Sequence, residues 1–245
     1  AGDVIASPYM NNNAQSKDFR RFTNVRGWSS GEEVTFFPRV TDATVMTLAV
    51  ARWLATDPEH RKASFINIMT DLYSKHPECE FSPIMNMWCK SEYFQPFRRD
   101  SNDVIARISP IALKIDDLNE AIKLAKATTE FTHKDPNSIK GAEAFTDALW
   151  KAARGRSKED IRFAVENDYG IDLNIPEQDL KSILMGAVKE DVIINGEPTG
   201  EVYYRDTGKI DYSTMNTLTA ALKCFLEGNS FEDIVRRAVA MGGDS

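Results

Sequence analysis

The sequence of 245 residues predicts an all-α fold. Apolar residues recur at helical spacing (i, i+3, i+4) through most of the chain. Only one later segment combines residues that favour turns with residues that favour β-strands. Serine residues stand directly before several helical stretches, with acidic residues in the first turn that follows. A chain of this length with 42% apolar residues can bury a large core, so we expect one domain over residues 1–245.

The elements follow in order along the chain. A long polar, turn-rich loop is predicted for residues 11–38. The next helix begins at Thr41 and Asp42, which are both good N-cap types. Further helices are predicted for residues 58–73, 118–129, 139–153, 158–169, 177–189, 218–226 and 231–241. Between residues 192 and 212, glycine, proline and asparagine alternate with valine and tyrosine, which predicts a small hairpin or an irregular excursion.

Charge and cysteine content exclude several classes of function. A net charge of −7 argues against a broad surface for nucleic acid or for an anionic membrane. The chain has no run of about 18 apolar residues, so no membrane span is predicted. Cys79, Cys89 and Cys224 include no Cys-x-x-Cys pair, which predicts reduced thiols, a cytoplasmic location and no zinc site.

The most informative segment is residues 40–51, where Thr41 and Asp42 open an apolar helix. The free N–H groups and the dipole of a helix start favour an anionic side chain there. Asp42 therefore suits this position with or without a metal ion. An ordinary N-cap remains the alternative to a metal ligand at this point.

Five segments, in this order, resemble the ADP-ribosylglycohydrolase family: residues 1–9, 40–51, 107–113, 132–142 and 238–245. The resemblance implies a compact, orthogonal multi-helix fold. It also implies two magnesium ions between a Thr-Asp-Asp-Thr helix start and a Gly-Asp-x-Asp-Thr helix start. In the family these ions bind the distal ribose and orient the water that releases ADP-ribose from a modified side chain.

The resemblance further implies roles for individual residues. The expected catalytic residues are Asp3 and Asp42, and the expected metal ligands are Thr41, Asp42 and Asp244. The positions expected to bind ADP-ribose are Ser7, Asn102, Arg107, Ser109 and His133. His133 also suits a helix entry before Pro136, so both interpretations stay open.

The chain departs from the family pattern at ligand positions. Ala43 replaces the second acid of the helix start, and Met10 stands where many members have glutamate. Asp103 replaces a glycine in the loop that should approach the phosphates. The sequence ends at Ser245, just before the positions where the family has a bridging aspartate and a threonine. We therefore expect no magnesium ion, or one weakly bound ion, instead of two.

Three functions follow from these observations. The first is a family member with impaired catalysis that serves as a binding, regulatory or structural scaffold. The second is a magnesium-dependent hydrolase that removes ADP-ribose from modified arginine or serine, and the third is a related hydrolase with a changed substrate. The expected ligand is ADP-ribose or an ADP-ribosylated protein. If the domain is truncated at its C-terminal end, we also expect it to form a homo-oligomer or to bind a protein partner. No nucleic-acid or membrane partner is expected.

Overall fold

The structure is a computed structural model that describes residues 2–9, 17–29, 32–194, 197–207 and 209–242. Its α-helices are α1 (Gly2–Ala6), α2 (Asp42–Thr56), α3 (Lys62–Lys75), α4 (Pro83–Cys89), α5 (Asp103–Arg107), α6 (Ser109–Lys114), α7 (Leu118–Glu130), α8 (Pro136–Ala153), α9 (Lys158–Asn167), α10 (Glu177–Leu184), α11 (Thr214–Glu227) and α12 (Phe231–Met241). Two short 3₁₀ helices cover Ser7–Tyr9 and Pro77–Cys79. The strands are β1 (Val25–Ser29), β2 (Glu32–Phe36), β3 (Ala187–Ile194) and β4 (Glu197–Asp206). The predicted all-α class is confirmed.

Local capping explains why several helices begin where the sequence predicts. The Ser157 hydroxyl accepts a hydrogen bond from the Asp160 N–H, and the Asp160 carboxylate accepts one from the Ser157 N–H, which closes a capping box at α9. Ser230 accepts from the Asp233 N–H at the start of α12. Helix α11 begins at Thr214, earlier than predicted. The prediction missed this first turn because it is mostly polar and lacks the apolar pattern.

The prediction of a long loop over residues 11–38 is wrong for its second half, because β1 and β2 form an antiparallel hairpin there. Val25 pairs with Phe36, and Ser29 pairs with Glu32. The mixed polar composition of these strands concealed them, because a two-stranded hairpin with exposed faces needs no clear apolar alternation. Residues 10–16 lie outside the described part of the chain.

The second predicted hairpin is confirmed, although it starts earlier than expected. Strands β3 and β4 pair antiparallel, and the helix predicted to reach residue 189 ends at Leu184. Gly186 explains the early end because its φ is +95°, a conformation that favours glycine. A Cβ atom on Gly186 would lie 1.9 Å from the carbonyl oxygen of Lys209, so the chain has room for no side chain there.

The core is built around α8, which packs against α5, α6, α7, α9 and α11. Helix α2 covers another side, with Trp53 and Phe65 packed edge to face at 5.7 Å between ring centres. Trp53, Trp88 and Phe65 are fully buried and connect α2, α3 and α4. Helix α2 also packs against α5. No helix in the described ranges is long and apolar enough to cross a bilayer.

Candidate functional site

Asp3 on α1 lies against the start of α2. The Asp3 carboxylate accepts hydrogen bonds from the Thr41 N–H at 3.0 Å, from the Thr41 hydroxyl at 2.6 Å and from the Thr44 hydroxyl at 2.5 Å. The Thr41 hydroxyl also caps α2 by accepting from the Ala43 N–H at 3.3 Å. One aspartate therefore orients the first turn of α2 from a helix 38 residues away in the sequence.

Ser7 holds the segment that leads into α2. Its hydroxyl donates to the Val4 carbonyl at 3.1 Å and accepts from the Arg39 N–H at 2.9 Å. Ser7 is buried, and these two bonds fasten the end of α1 to the residues before Thr41. The structure thus shows a positioning contact for Ser7, whereas its contact with ADP-ribose stays a prediction.

Asp42 and Asp103 are connected through Ser82. The Ser82 N–H donates to Asp42 Oδ2 at 3.2 Å, and the Ser82 hydroxyl donates to Asp103 Oδ2 at 2.7 Å. Asp103 is only 6% exposed at the first turn of α5. Nothing in the sequence pattern pointed to this bridge. The Ser82-Pro83 pair is typical of a helix start, and the Ser82 hydroxyl caps α4 by accepting a hydrogen bond from the Met85 N–H.

Asn102 precedes α5 and is anchored to the residues that follow the second hairpin. Its N–H donates to the Tyr212 carbonyl at 2.9 Å, and its side-chain amide donates to the Thr217 hydroxyl at 3.4 Å. Ser109 is the first residue of α6, close in sequence to the end of α5. The loop at residues 101–103 is therefore held in place from α11, and the ADP-ribose contacts of Asn102 and Ser109 stay predictions.

Arg107 lies in the interior, beneath the loop at residues 101–103. Its side chain is 0% exposed, and Nη2 donates to the Thr132 hydroxyl at 2.6 Å and to the Thr128 carbonyl at 3.3 Å. The guanidinium carbon is 5.8 Å from the centre of the Phe65 ring. Burial lowers the pKa of Arg107 to about 10, and the nearby Asp103 carboxylate partly offsets this effect. Direct contact between Arg107 and ADP-ribose stays a prediction.

His133 lies beside Arg107 in the same interior pocket of polar groups. Its Nδ1 is 2.8 Å from the Thr132 hydroxyl, while its Nε2 is buried without a hydrogen-bond partner among the described residues. Burial lowers the pKa of His133 to about 3, and the positive charge of Arg107 contributes. The ring is therefore neutral at physiological pH. Its role in ADP-ribose binding also stays a prediction.

The low pKa of His133 predicts that stability falls in mild acid. An unfolded histidine has a pKa of about 6.5, so below that value the unfolded chain binds a proton that the folded chain excludes. We expect His133 to account for about 2 kcal/mol of the unfolding free energy lost between pH 7 and pH 5. Urea unfolding of the wild type and of His133→Gln at both pH values measures this loss. An equal pH dependence in the two proteins would contradict the expectation.

The side chains at the start of α2 offer the type of ligand atom that magnesium binds. Asp3, Thr41 and Asp42 offer only oxygen atoms, which magnesium prefers. However, Asp3 already accepts three hydrogen bonds, and Asp42 accepts one from Ser82. Across the described part of the chain, no group of three His, Cys, Asp or Glu side chains forms around these two acids. Asp244, the third expected ligand, lies outside the described residues, so the expectation of no magnesium ion or one weakly bound ion stays a prediction.

Cys79 lies near this site, in the 3₁₀ helix before α4. Its Sγ is 3.6 Å from the carbonyl oxygen of Val40, the residue before Thr41. Burial raises the pKa of the Cys79 thiol, and the negative charges of Glu78, Asp42 and Asp3 add to the effect. These charges act on Cys79 because the 3₁₀ helix packs against the segment that enters α2.

Two comparisons with known proteins match the whole chain. A family model described as ADP-ribosylglycohydrolase matches residues 1–245. A solved structure described as "ADP-ribosylglycohydrolase-related protein complex" is similar, with a TM-score of 0.67 and 19% sequence identity. The match covers 99% of this chain and 77% of that chain. At this identity, the likeness to the solved structure supports the fold alone.

Proposed function

Because the chain belongs to the ADP-ribosylglycohydrolase family, we propose that it retains an ADP-ribose site but releases ADP-ribose from modified proteins slowly or not at all. In this proposal the protein acts as a binding or regulatory scaffold, and ADP-ribose or an ADP-ribosylated protein is its ligand. A cytoplasmic location belongs to the same proposal, because Cys79, Cys89 and Cys224 are all free thiols.

The observation that carries the proposal is the methyl group of Ala43 in the first turn of α2. This position, between Asp42 and Thr44, is where the family motif has its second acid. Two unit positive charges about 4 Å apart repel by about 4 kcal/mol at an effective dielectric of 20, and two dications repel about four times as strongly. Carboxylates that bridge the ions offset such repulsion. With alanine at position 43, the start of α2 supplies one carboxylate fewer for this purpose.

The position of Asp103 also supports impaired turnover. Its buried carboxylate is joined through Ser82 to Asp42, on the loop that should approach the pyrophosphate of the ligand. A negative charge there opposes phosphate oxygens, although Arg107 on the same helix offsets part of this charge. We therefore expect ADP-ribose to bind with reduced affinity.

The remaining residues have separate tasks in this proposal. Asp3, Thr41 and Asp42 would hold any bound magnesium, which would position the ribose hydroxyls and the attacking water. Asp3 orients the hydroxyls of Thr41 and Thr44, and Asp42 presents its carboxylate beside Ser82. Ser7 holds the segment before α2 in place by accepting a hydrogen bond from the Arg39 N–H.

Hydrolysis and binding assays on the purified chain test the proposal. We expect no release of ADP-ribose from modified arginine or serine peptides above the uncatalysed rate, with or without magnesium. We expect ADP-ribose to raise the melting temperature without magnesium, because ligand binding to the folded state stabilises it. Ala43→Asp should not restore turnover, since one added acid does not complete a bridging set. Rapid magnesium-dependent release by the wild type would refute impaired catalysis, and a melting temperature unchanged by ADP-ribose would refute the binding role.

A second candidate function is magnesium-dependent removal of ADP-ribose from protein side chains. The specific observation in its favour is the order already present at the start of α2, where Asp3 fixes Thr41 and Thr44 through three hydrogen bonds. If the wild type is active, Asp42→Asn should abolish turnover, whereas Asp116→Asn on the exposed surface should not change it. Activity retained in Asp42→Asn would exclude this site as the source of hydrolysis.

A further inference from the structure

His76, Glu78 and Cys79 bring three metal-ligating atoms together at the end of α3. His76 Nδ1 lies 3.2 Å from Glu78 Oε1, and Cys79 Sγ lies 3.9 Å from the same oxygen. All three ligand atoms lie within 4.8 Å of one another, and no other such group is found in the described part of the chain. This cluster contains imidazole, carboxylate and thiol, so its chemistry differs from that of the oxygen-only start of α2.

Local backbone geometry explains the convergence. Residues i and i+3 eclipse each other in a 3₁₀ helix, and the Cys79 N–H donates to the His76 carbonyl at 3.2 Å. His76 and Cys79 therefore lie on the same side of the turn. Pro77 fixes its own φ and so stiffens the segment between them. The three side chains need little reordering to share an ion, because one four-residue turn already aligns them.

Two of the three ligand–ligand distances lie near the values for tetrahedral coordination, and the third, between His76 Nδ1 and Cys79 Sγ, is within 4.8 Å. Zinc binds histidine nitrogen and carboxylate oxygen at about 2.0–2.2 Å and cysteine sulfur at about 2.3 Å, so tetrahedral ligands lie about 3.3 Å apart for N and O and about 3.6 Å apart for S and O. The observed separations are 3.2 Å and 3.9 Å. Magnesium is a poor match, because it prefers six oxygen ligands and does not select thiolate.

Although the cysteine spacing predicts no zinc site, we propose that His76, Glu78 and Cys79 form a binding site for a thiophilic divalent cation of the zinc type, with the fourth position open to water. The side chains of His76 and Glu78 are 40% and 67% exposed, so an ion can enter from solvent. Cys79 is 4% exposed and presents sulfur from the protein side. When the sulfur–metal bond forms, the thiol proton is released to solvent. A neutral imidazole, a carboxylate and a thiolate then balance the two positive charges of the ion.

The cation site adjoins the segment that enters α2. Cys79 Sγ contacts the Val40 carbonyl, and Glu80 forms an ion pair with Arg39 at 2.6 Å. The last residue of this 3₁₀ helix and the residue that follows it therefore hold the residues just before Thr41. The proposed site is separate from Asp3 and Asp42, and the proposal holds whether or not the chain hydrolyses ADP-ribose.

Cobalt absorption on the full chain tests the proposal, because thiolate bound to cobalt gives a ligand-to-metal charge-transfer band in the near ultraviolet. We expect this band in the reduced wild type with equimolar Co²⁺ and its loss when Zn²⁺ is added. Cys79→Ser should abolish the band. The matched controls Cys89→Ser and Cys224→Ser should keep it, since both thiols lie outside the cluster.

A second measurement covers the case in which Cys79→Ser fails to fold. His76→Gln and Glu78→Gln change exposed side chains, and each should weaken Zn²⁺ binding about tenfold or more in competition with a chromophoric chelator. Asp42→Asn should change Zn²⁺ affinity far less than either glutamine variant does, which separates this site from the start of α2. No charge-transfer band in excess Co²⁺, a band that survives Cys79→Ser, or unchanged affinity in both glutamine variants would overturn the proposal.

Discussion

Replacing Arg107 with alanine is expected to lower the unfolding free energy by about 3–5 kcal/mol. The side chain is completely buried and touches Phe65, Thr128 and Thr132. Truncation leaves a cavity in the core. It also removes the guanidinium group that donates a hydrogen bond to the Thr132 hydroxyl. Both effects act on the folded state, so the midpoint of urea unfolding should fall with little change in its slope.

Arg107→Met is the matched comparison, because methionine fills much of the same volume without a charge. Both variants remove the donor to the Thr132 hydroxyl and the positive charge near Asp103, but only Ala also leaves a cavity, so Met should cost less than Ala. The same variant also tests the ADP-ribose role that the sequence implies. If Arg107 only stabilises the interior, Arg107→Met should bind ADP-ribose as the wild type does. A stable Met variant that no longer binds ADP-ribose would instead support the ligand role, and equal losses for Met and Ala would contradict the cavity argument.

Much of the fold could be predicted because many helix signals are local. Ser157 with Asp160 and Ser230 with Asp233 specify helix starts within four residues, and the structure confirms both. The early end of α10 could not be predicted in this way. It depends on Gly186 packed against the backbone of Lys209, a contact between residues far apart in the sequence.

The candidate site was predictable only where a motif carries it. Thr41 and Asp42 stand out as a helix start, and the resemblance adds Asp3, which the structure places against Thr41. The bridge from Asp42 through Ser82 to Asp103 connects the starts of three separate helices, so no spacing in the sequence encodes it. For the same reason, the sequence could not indicate that a charged residue such as Arg107 would lie wholly in the interior.

Asp3→Ala is expected to lower the unfolding free energy by about 2–3 kcal/mol. The change removes the acceptor for three hydrogen bonds, two from Thr41 and one from Thr44, and these bonds attach α1 to α2. Urea unfolding without added metal isolates this structural effect. Asp116→Ala is the control, because Asp116 is fully exposed and makes one ion pair, with Arg154 at 3.4 Å. The control should change stability by less than about 0.5 kcal/mol.

A double-mutant cycle decides whether Asp3 acts through these hydrogen bonds. Thr44→Val removes one hydroxyl donor while keeping the side-chain shape, so Asp3→Ala should cost less in the Thr44→Val background. We expect a coupling of about 1 kcal/mol, since the two side chains are in direct contact. Additive losses would mean that Asp3 does not stabilise the fold through Thr44. In that case the stabilising effect of Asp3 would come from its two hydrogen bonds with Thr41.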